Sequence, residues 1–308
     1  MKKPSANISE VMIRGFRSIC VAIALVLFLA GHAPAQTDAD SAWENRVKLE
    51  ERARDNPFFI APHRPNYILP VSYNTRPNTT PFTPGTEDFD HTEMKFQFSM
   101  KLQVARDVFH NNGKIYFAYT NLSFWQAYNK DASSPFRETN HEPELFLTVD
   151  NDWNFLGLTN RANSIGVVHQ SNGRSGALSR SWNRIYGLFM FDRGNFLFAL
   201  KPWYRIPEEE KSSPTDPTGD DNPDINKFLG SGELYAFYKW DRQTFGLMLR
   251  NNLRRHDNKG AIQLDWSFPV SSNLKGYVQY FSGYGESLID YNAAVHRISL
   301  GVLLTDWL

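Results

Sequence analysis

From residue 66 onward the chain keeps returning to one pattern: a segment of about ten residues, apolar on alternate positions, bounded by turn residues. Phe96, Phe98, Met100, Leu102 and Val104 alternate with Lys95, Gln97, Ser99, Lys101 and Gln103, and Ile262, Leu264, Trp266 and Phe268 alternate with Gln263, Asp265 and Ser267. Successive strand side chains point to opposite faces, so each segment has one apolar and one polar wall. Twelve such strands are expected, near 66–73, 94–105, 113–126, 143–149, 153–170, 181–191, 196–205, 228–240, 244–254, 260–269, 274–282 and 294–308. Short turns at Asp150-Asn151-Asp152, Asp192 to Asn195, Asp241 to Gln243 and Val270 to Asn273 join some neighbours, and long polar connections at 127–142, 206–226 and 283–292 join others. An even strand count with short turns at one end and long loops at the other predicts an all-β, transmembrane antiparallel barrel of the outer-membrane kind. Aromatics make up 14% of residues, many near strand ends where such barrels carry interfacial girdles. A soluble β-sandwich has the same alternation and remains the alternative.

Residues 1–35 read as a signal peptide: Lys2, Lys3, Arg14 and Arg17 precede an apolar run from Ile19 to Ala30, followed by Ala33-Pro34-Ala35. That run is shorter than the roughly 20 apolar residues a membrane helix needs. The one cysteine, Cys20, lies inside it, so no thiolate metal site or disulfide is expected in residues 36–308. Those residues carry 29 basic and 32 acidic side chains, a balance that does not suggest a nucleic-acid partner. Residues 36–65 are expected to form a short N-terminal periplasmic segment, with helical character over Ser41 to Asp55, and residues 66–308 the barrel. The acidic 206–226 connection is expected to be mobile and solvent-facing.

The polar stretch "HQSNGRSGALSRSWNR" (169–184) interrupts this pattern between two strands. Counting back by twos from Ser171 gives His169, Val167 and Ile165; on the next strand Asn183 shares parity with Ile185 and Phe189. Arg184 must face a polar lumen, since a charge on the lipid side is costly, so Asn183 faces outward. His169, Ser171 and Asn183 therefore meet on the outer wall at the loop end of one hairpin. A serine needs an adjacent base to become a nucleophile, a neutral histidine can be that base, and a third group must fix its tautomer. Asn supplies the carbonyl oxygen for that bond without a net charge at the hydrocarbon edge. A plain hydrogen-bonded strand end remains the competing reading, and a passive pore or structural barrel the competing function.

Together with "SSPFRETNHEPELF" (133–146), "KPWY" (201–204), "DDNPDI" (220–225) and "FSGYGESLIDYN" (281–292), this stretch resembles the outer membrane phospholipase A family of Gram-negative bacteria, from about residue 90 to 308. The resemblance implies a calcium-dependent enzyme of the outer membrane, phospholipase A1/A2 with lysophospholipase activity, hydrolysing acyl esters of (lyso)phospholipids as a homodimer. It implies Ser171 as nucleophile, His169 as base and Asn183 as orienting residue, with the Gly173 amide stabilising the oxyanion. It further implies calcium held by the carbonyl of Arg174, by Ser179 and by a carbonyl at Ser133 of a second copy, and a monomer calcium position at Asp221. Two positions depart from the family pattern. Gly176 stands where members can have Asp, removing a carboxylate near calcium, and Asn121 stands where a Gln contributes to the dimer interface.

Overall fold

The computed structural model describes residues 60–82, 89–213, 216, 218–271 and 274–306. The expected signal peptide, most of the 36–65 segment with its helical stretch, part of the Val270–Asn273 turn, and Trp307-Leu308 lie outside the described residues. Twelve long strands follow one another: β1 (Asn66–Asn74), β2 (Thr92–Ala105), β3 (Lys114–Trp125), β4 (Phe136–Asp150), β5 (Leu158–Ser171), β6 (Ser181–Arg193), β7 (Phe196–Ile206), β8 (Gly232–Trp240), β9 (Gln243–Asn251), β10 (Gly260–Pro269), β11 (Lys275–Tyr284) and β12 (Ala294–Thr305). Each pairs antiparallel with its successor, and β12 pairs with β1, through Leu300 opposite Val71 and Leu303 opposite Tyr67. The sheet thus closes on itself as the alternation predicts, and the sandwich reading is set aside.

Joins at 106–113, 151–157, 194–195, 241–242 and 270–274 gather at one end, and the longer ones, including 126–135, 172–180, 207–231 and 285–293, at the other. The apolar parity faces out: Ile165 and Val167 on β5, Phe98 and Val104 on β2, and Ile298 and Leu300 on β12 are all exposed. So broad an exposed apolar wall belongs in lipid. Exposed aromatics mark both rims, with Trp153, Phe155 and Trp240 at the short-turn end and Tyr128 and Phe136 at the long-loop end.

The polar parity faces in, where its charges meet one another. Near the long-loop end Arg137 pairs with Glu93 at 2.9 Å and Asp290 at 2.7 Å, Arg297 with Glu93 at 2.8 Å and Glu286 at 2.7 Å, and Lys95 with Glu286 at 2.8 Å. Three cations thus balance three carboxylates, all buried, and the Phe124 ring lies beneath Lys95, Arg137 and Arg297. The loop after β11 folds into this mouth: Leu288 N donates to Asn140 Oδ1 at 3.0 Å, Ile289 N to Glu138 Oε1 at 3.1 Å, and both side chains are buried. The "SLIDYN" motif is therefore a cap over the lumen. Below it the lumen leaves a cavity of about 230 Å³ lined by side chains such as Arg64, Glu144, Arg184 and Lys201, so it is a filled core.

Three expectations need correcting. Residues 136–142, taken from sequence as part of a connection, extend β4, because their inward polar groups (Glu138, Asn140, Glu142) are satisfied in the lumen and leave no hydrophobic trace. Trp153 to Gly157 form a turn with a two-residue strand, Asn154–Phe155, paired to the start of β5. The 207–231 loop is not wholly solvent-facing: Asn222 and Ile225 are fully buried, Arg205 bridges to Asp220 at 2.5 Å, and a short helix, α1 (Ile225–Leu229), closes it. The described end of the N-terminal segment also lies against the barrel: Ala61–Pro62 pair with β2, and Arg64 bridges to Glu142 at 2.5 Å and Glu144 at 2.8 Å.

Candidate active site

The hairpin β5–β6 carries the site, and its inner face fixes the register of its outer face. Inside, Trp182 Nε1 donates to Gln170 Oε1 at 2.7 Å, the Arg184 guanidinium lies 4.0 Å from the Trp182 ring, and Tyr186 packs on Gly166. A Cβ at Gly166 would stand 2.6 Å from Phe146 Cβ, so only glycine lets β4 and β6 close over β5 there. Phe146, Trp182 and Tyr186 join Tyr116, Val168 and Trp203 in one buried cluster, with Ile225, Leu229, Leu288 and Tyr291 capping it. A one-residue slip would invert every side chain, so this packing is what holds His169 opposite Asn183 on the outside.

His169 Nδ1 lies 2.8 Å from Asn183 Oδ1. Asn183 Nδ2 in turn donates to Glu208 Oε1, just beyond β7, at 3.0 Å. Ser171 stands two residues past His169 on the same outward face, half-buried. No Ser171–His169 hydrogen bond is formed among the described residues; such bonds are often long without substrate and tighten when it binds. Directly opposite Ser171 are His141 on β4 and Ser181 on β6. His141 is opposite Asn121 on β3, so Asn121, His141, Ser171 and Ser181 form one row across four strands. The Tyr119 hydroxyl lies 2.6 Å from His141 Nδ1.

Beyond Ser171 the chain turns at Gly173, where φ is +64°, a conformation that L side chains rarely adopt. The buried Asn172 side chain organises this loop. Its Oδ1 accepts from Arg180 N at 2.9 Å and from Arg174 N at 3.3 Å, and its Nδ2 donates to Leu178 O at 2.9 Å. His141 lies against the turn, its Nε2 3.7 Å from where a Gly173 Cβ would be.

A family model described as Phospholipase A1 matches residues 43–304. A phospholipase A1 of Salmonella typhimurium is 36% identical over 289 residues, covering 92% of this chain and 96% of that protein. The solved outer membrane phospholipase A of Escherichia coli superposes with a TM-score of 0.75 at 37% identity, covering 82% of this chain and 95% of that one. Equal scores come from a Salmonella typhi outer membrane phospholipase dimer with bound calcium, covering 82% and 94%, and from an Escherichia coli active-site mutant with alanine in place of an asparagine, covering 82% and 95%. The chain belongs to the phospholipase A1 family. It is an outer-membrane, multi-pass enzyme, and the non-enzymatic barrel left open by the sequence is set aside.

The remaining expected residues of the phospholipase fall into two groups. Ser179 Oγ and Ser181 Oγ both donate to Asp221 Oδ2 at 2.9 Å, so Ser179 and Asp221 are together, beside the Ser181 that stands opposite Ser171. Lys211 Nζ sits 2.5 Å from Asp221 Oδ1. Calcium takes only oxygen ligands, about six to eight of them. The hydroxyls and carboxylate here suit it, and a cation already rests on Asp221. Among the described residues no three His, Cys, Asp or Glu side chains cluster for a metal, so hydroxyls and backbone carbonyls would supply most ligands. Gly176, with φ +63°, adds none. Arg174 turns its side chain back onto the Phe136 and Arg137 carbonyls, at 3.1 and 2.6 Å. Ser133 lies on the adjacent 126–135 loop, φ 61°, and no hydrogen bond among the described residues links it to Ser179 or Asp221.

Sequence reading missed Asn172, His141, Ser181, Lys211 and Glu208. Asn172 carried a signal, the Asn-Gly pair of a turn, and Ser181 shares parity with Asn183. Lys211 and Glu208 had none, because a long loop reveals nothing of where it returns.

Proposed function

We propose that the chain hydrolyses acyl esters of phospholipids and lysophospholipids in the outer membrane with Ser171 as nucleophile, His169 as base and Asn183 as its orienting partner. The observation that carries this reading is the 2.8 Å contact of His169 Nδ1 with Asn183 Oδ1 on the lipid-facing wall, beside Ser171. With Nδ1–H donated to Asn183, Nε2 has its lone pair free to take the Ser171 proton as Oγ attacks the ester carbonyl. The Gly173 N–H would donate to the developing oxyanion. His169 then returns the proton to the leaving lysophospholipid or glycerol oxygen. A water loses its proton to the same nitrogen in deacylation and releases the fatty acid.

Ser179, with the Arg174 carbonyl and a Ser133 carbonyl from a second copy, would hold calcium in the dimer, which when bound supplies positive charge near the oxyanion, and Asp221 would serve the monomer position. Dimerisation draws on the same row of residues: Asn121 on β3 and Ser171 on β5 share a level with His141 of β4 between them, so a second barrel seated on Asn121 would cover the wall that presents Ser171. A calcium shared between two chains links metal binding to association, and each strengthens the other. The calcium-bound dimer of the Salmonella typhi relative supports this reading. The test is fatty-acid release and crosslinking on one purified sample, titrated with calcium and then with chelator. Activity and dimer fraction rise and fall together on this account; full activity in a wholly monomeric sample contradicts the shared site.

A further inference from the structure

Resting on that catalytic reading, we infer that Glu208 is a positioning residue for the reaction, a fourth member that acts on His169 through Asn183. An Asn side chain has an acceptor at one corner and a donor at the other, and only the acceptor can hold the imidazole in the productive tautomer. Were Asn183 turned over, its N–H₂ would donate to His169 Nδ1, the ring proton would move to Nε2, and Ser171 would have no base. Nothing in the His169–Asn183 pair alone forbids that flip.

Glu208 forbids it. An ionised carboxylate accepts and never donates, so the group 3.0 Å from Glu208 Oε1 must be Asn183 Nδ2, and the group facing His169 must then be Oδ1. The carboxylate also places a full negative charge at the far end of the chain of bonds, where it favours the imidazolium formed as Ser171 loses its proton. An Asn triad lacks that charge by itself. Here it is restored one residue further out, away from the hydrocarbon edge.

The fold delivers Glu208 for this task. Ile206, the last residue of β7, is opposite Asn183 on β6, and Glu208 lies two residues further along the chain. The loop is held on both sides of the contact: Arg205 bridges to Asp220, and Lys211 to Asp221. Glu208 is half-buried, and the neighbouring Pro207 and Glu209 are exposed.

The experiment is a set of purified, heat-modifiable variants assayed for kcat and KM in detergent with calcium: Glu208→Ala and Glu208→Gln, each also combined with Asn183→Ala, and Ser171→Ala as the blank. Glu208→Ala is expected to lower kcat about tenfold with KM unchanged, in the range of couplings between residues of one hydrogen-bonded network. Glu208→Gln, which keeps an acceptor oxygen and loses the charge, falls between it and the parent. In the Asn183→Ala background either change at Glu208 has no further effect. A kcat within twofold of the parent, an equal loss in both backgrounds, or a rise in KM alone overturns the inference and makes Glu208 a loop tether. Turnover by Ser171→Ala would remove the catalytic reading beneath it, a separate failure seen in a separate variant.

Discussion

Lys211 and Asp221 form an ion pair, Nζ to Oδ1 at 2.5 Å, at the carboxylate proposed to receive calcium. The ammonium and the metal want the same oxygen, so calcium must displace Lys211 or share Asp221 with it. Lys211→Met is therefore expected to tighten calcium binding about threefold, the worth of a partly exposed ion pair. Isothermal titration of the detergent-solubilised protein reads this directly. Weaker binding in the variant would mean that Lys211 holds Asp221 in place.

Asn183→Ala should leave Ser171 and His169 intact but release the ring from its orientation. The expected loss in kcat is roughly 10²-fold, at the low end of what positioned general acid–base groups contribute. Steady-state kinetics on a soluble ester substrate checks it. An unimpaired variant would mean that His169 is held by something else.

The cap over the lumen makes stability depend on acid. Burial pushes the Glu286 carboxyl up, but Arg297 and Lys95 outweigh it and hold it below the usual carboxylate range. A depressed carboxyl contributes stability above its unfolded value of about 4.3 and loses that contribution as pH falls toward the folded value. Urea unfolding of the folded barrel should weaken from pH 5 downward. Glu286→Gln should be less stable at neutral pH and flatter across that window; an unchanged acid slope would contradict this role.

Arg137 is the pivot of the same cluster, facing Glu93 and Asp290 with almost no exposure. Arg137→Met leaves buried Asp290 without its cation and Glu93 with Arg297 alone, and should cost about 3–5 kcal/mol. The measurement is the urea midpoint at neutral pH.

Val167, two residues before His169, separates a lipid-facing wall from a solvated one. The residue is 48% exposed, which in water would make a charge harmless. Facing lipid, Val167→Arg should cost about 2–4 kcal/mol at mid-membrane depth and less near the rim. Reversible unfolding into vesicles measures the difference, and no change would place the residue in water.

The barrel and the outward parity of His169, Ser171 and Asn183 were legible because a strand's alternation is written in single residues. Arg184 fixed the sign, since a charge had to face inward, and the structure buries it against Trp182. Phe136 to Glu142 escaped because their inward side chains are polar and depend on residues far away in sequence, such as the amides of Leu288 and Ile289. Arg64 was invisible for the same reason, its partners Glu142 and Glu144 being brought to it by barrel closure. Glu208 and Lys211 depend on where an irregular loop returns, which no periodicity records. The family pattern supplied the proposed metal residues; spacing alone would have left Ser133 and Asp221 as ordinary loop positions.

The central claim is that Ser171 and His169 act as one unit on a phospholipid ester. The measurement is fatty-acid release from phospholipid by purified, folded Ser171→Ala, His169→Ala and the double variant, with calcium present. Each single change should lower the rate by roughly 10⁴-fold or more, and the double change should add almost nothing, because residues that share one step are not additive. Substantial release by folded Ser171→Ala, or a double variant slower than either single one by the product of their effects, would contradict it.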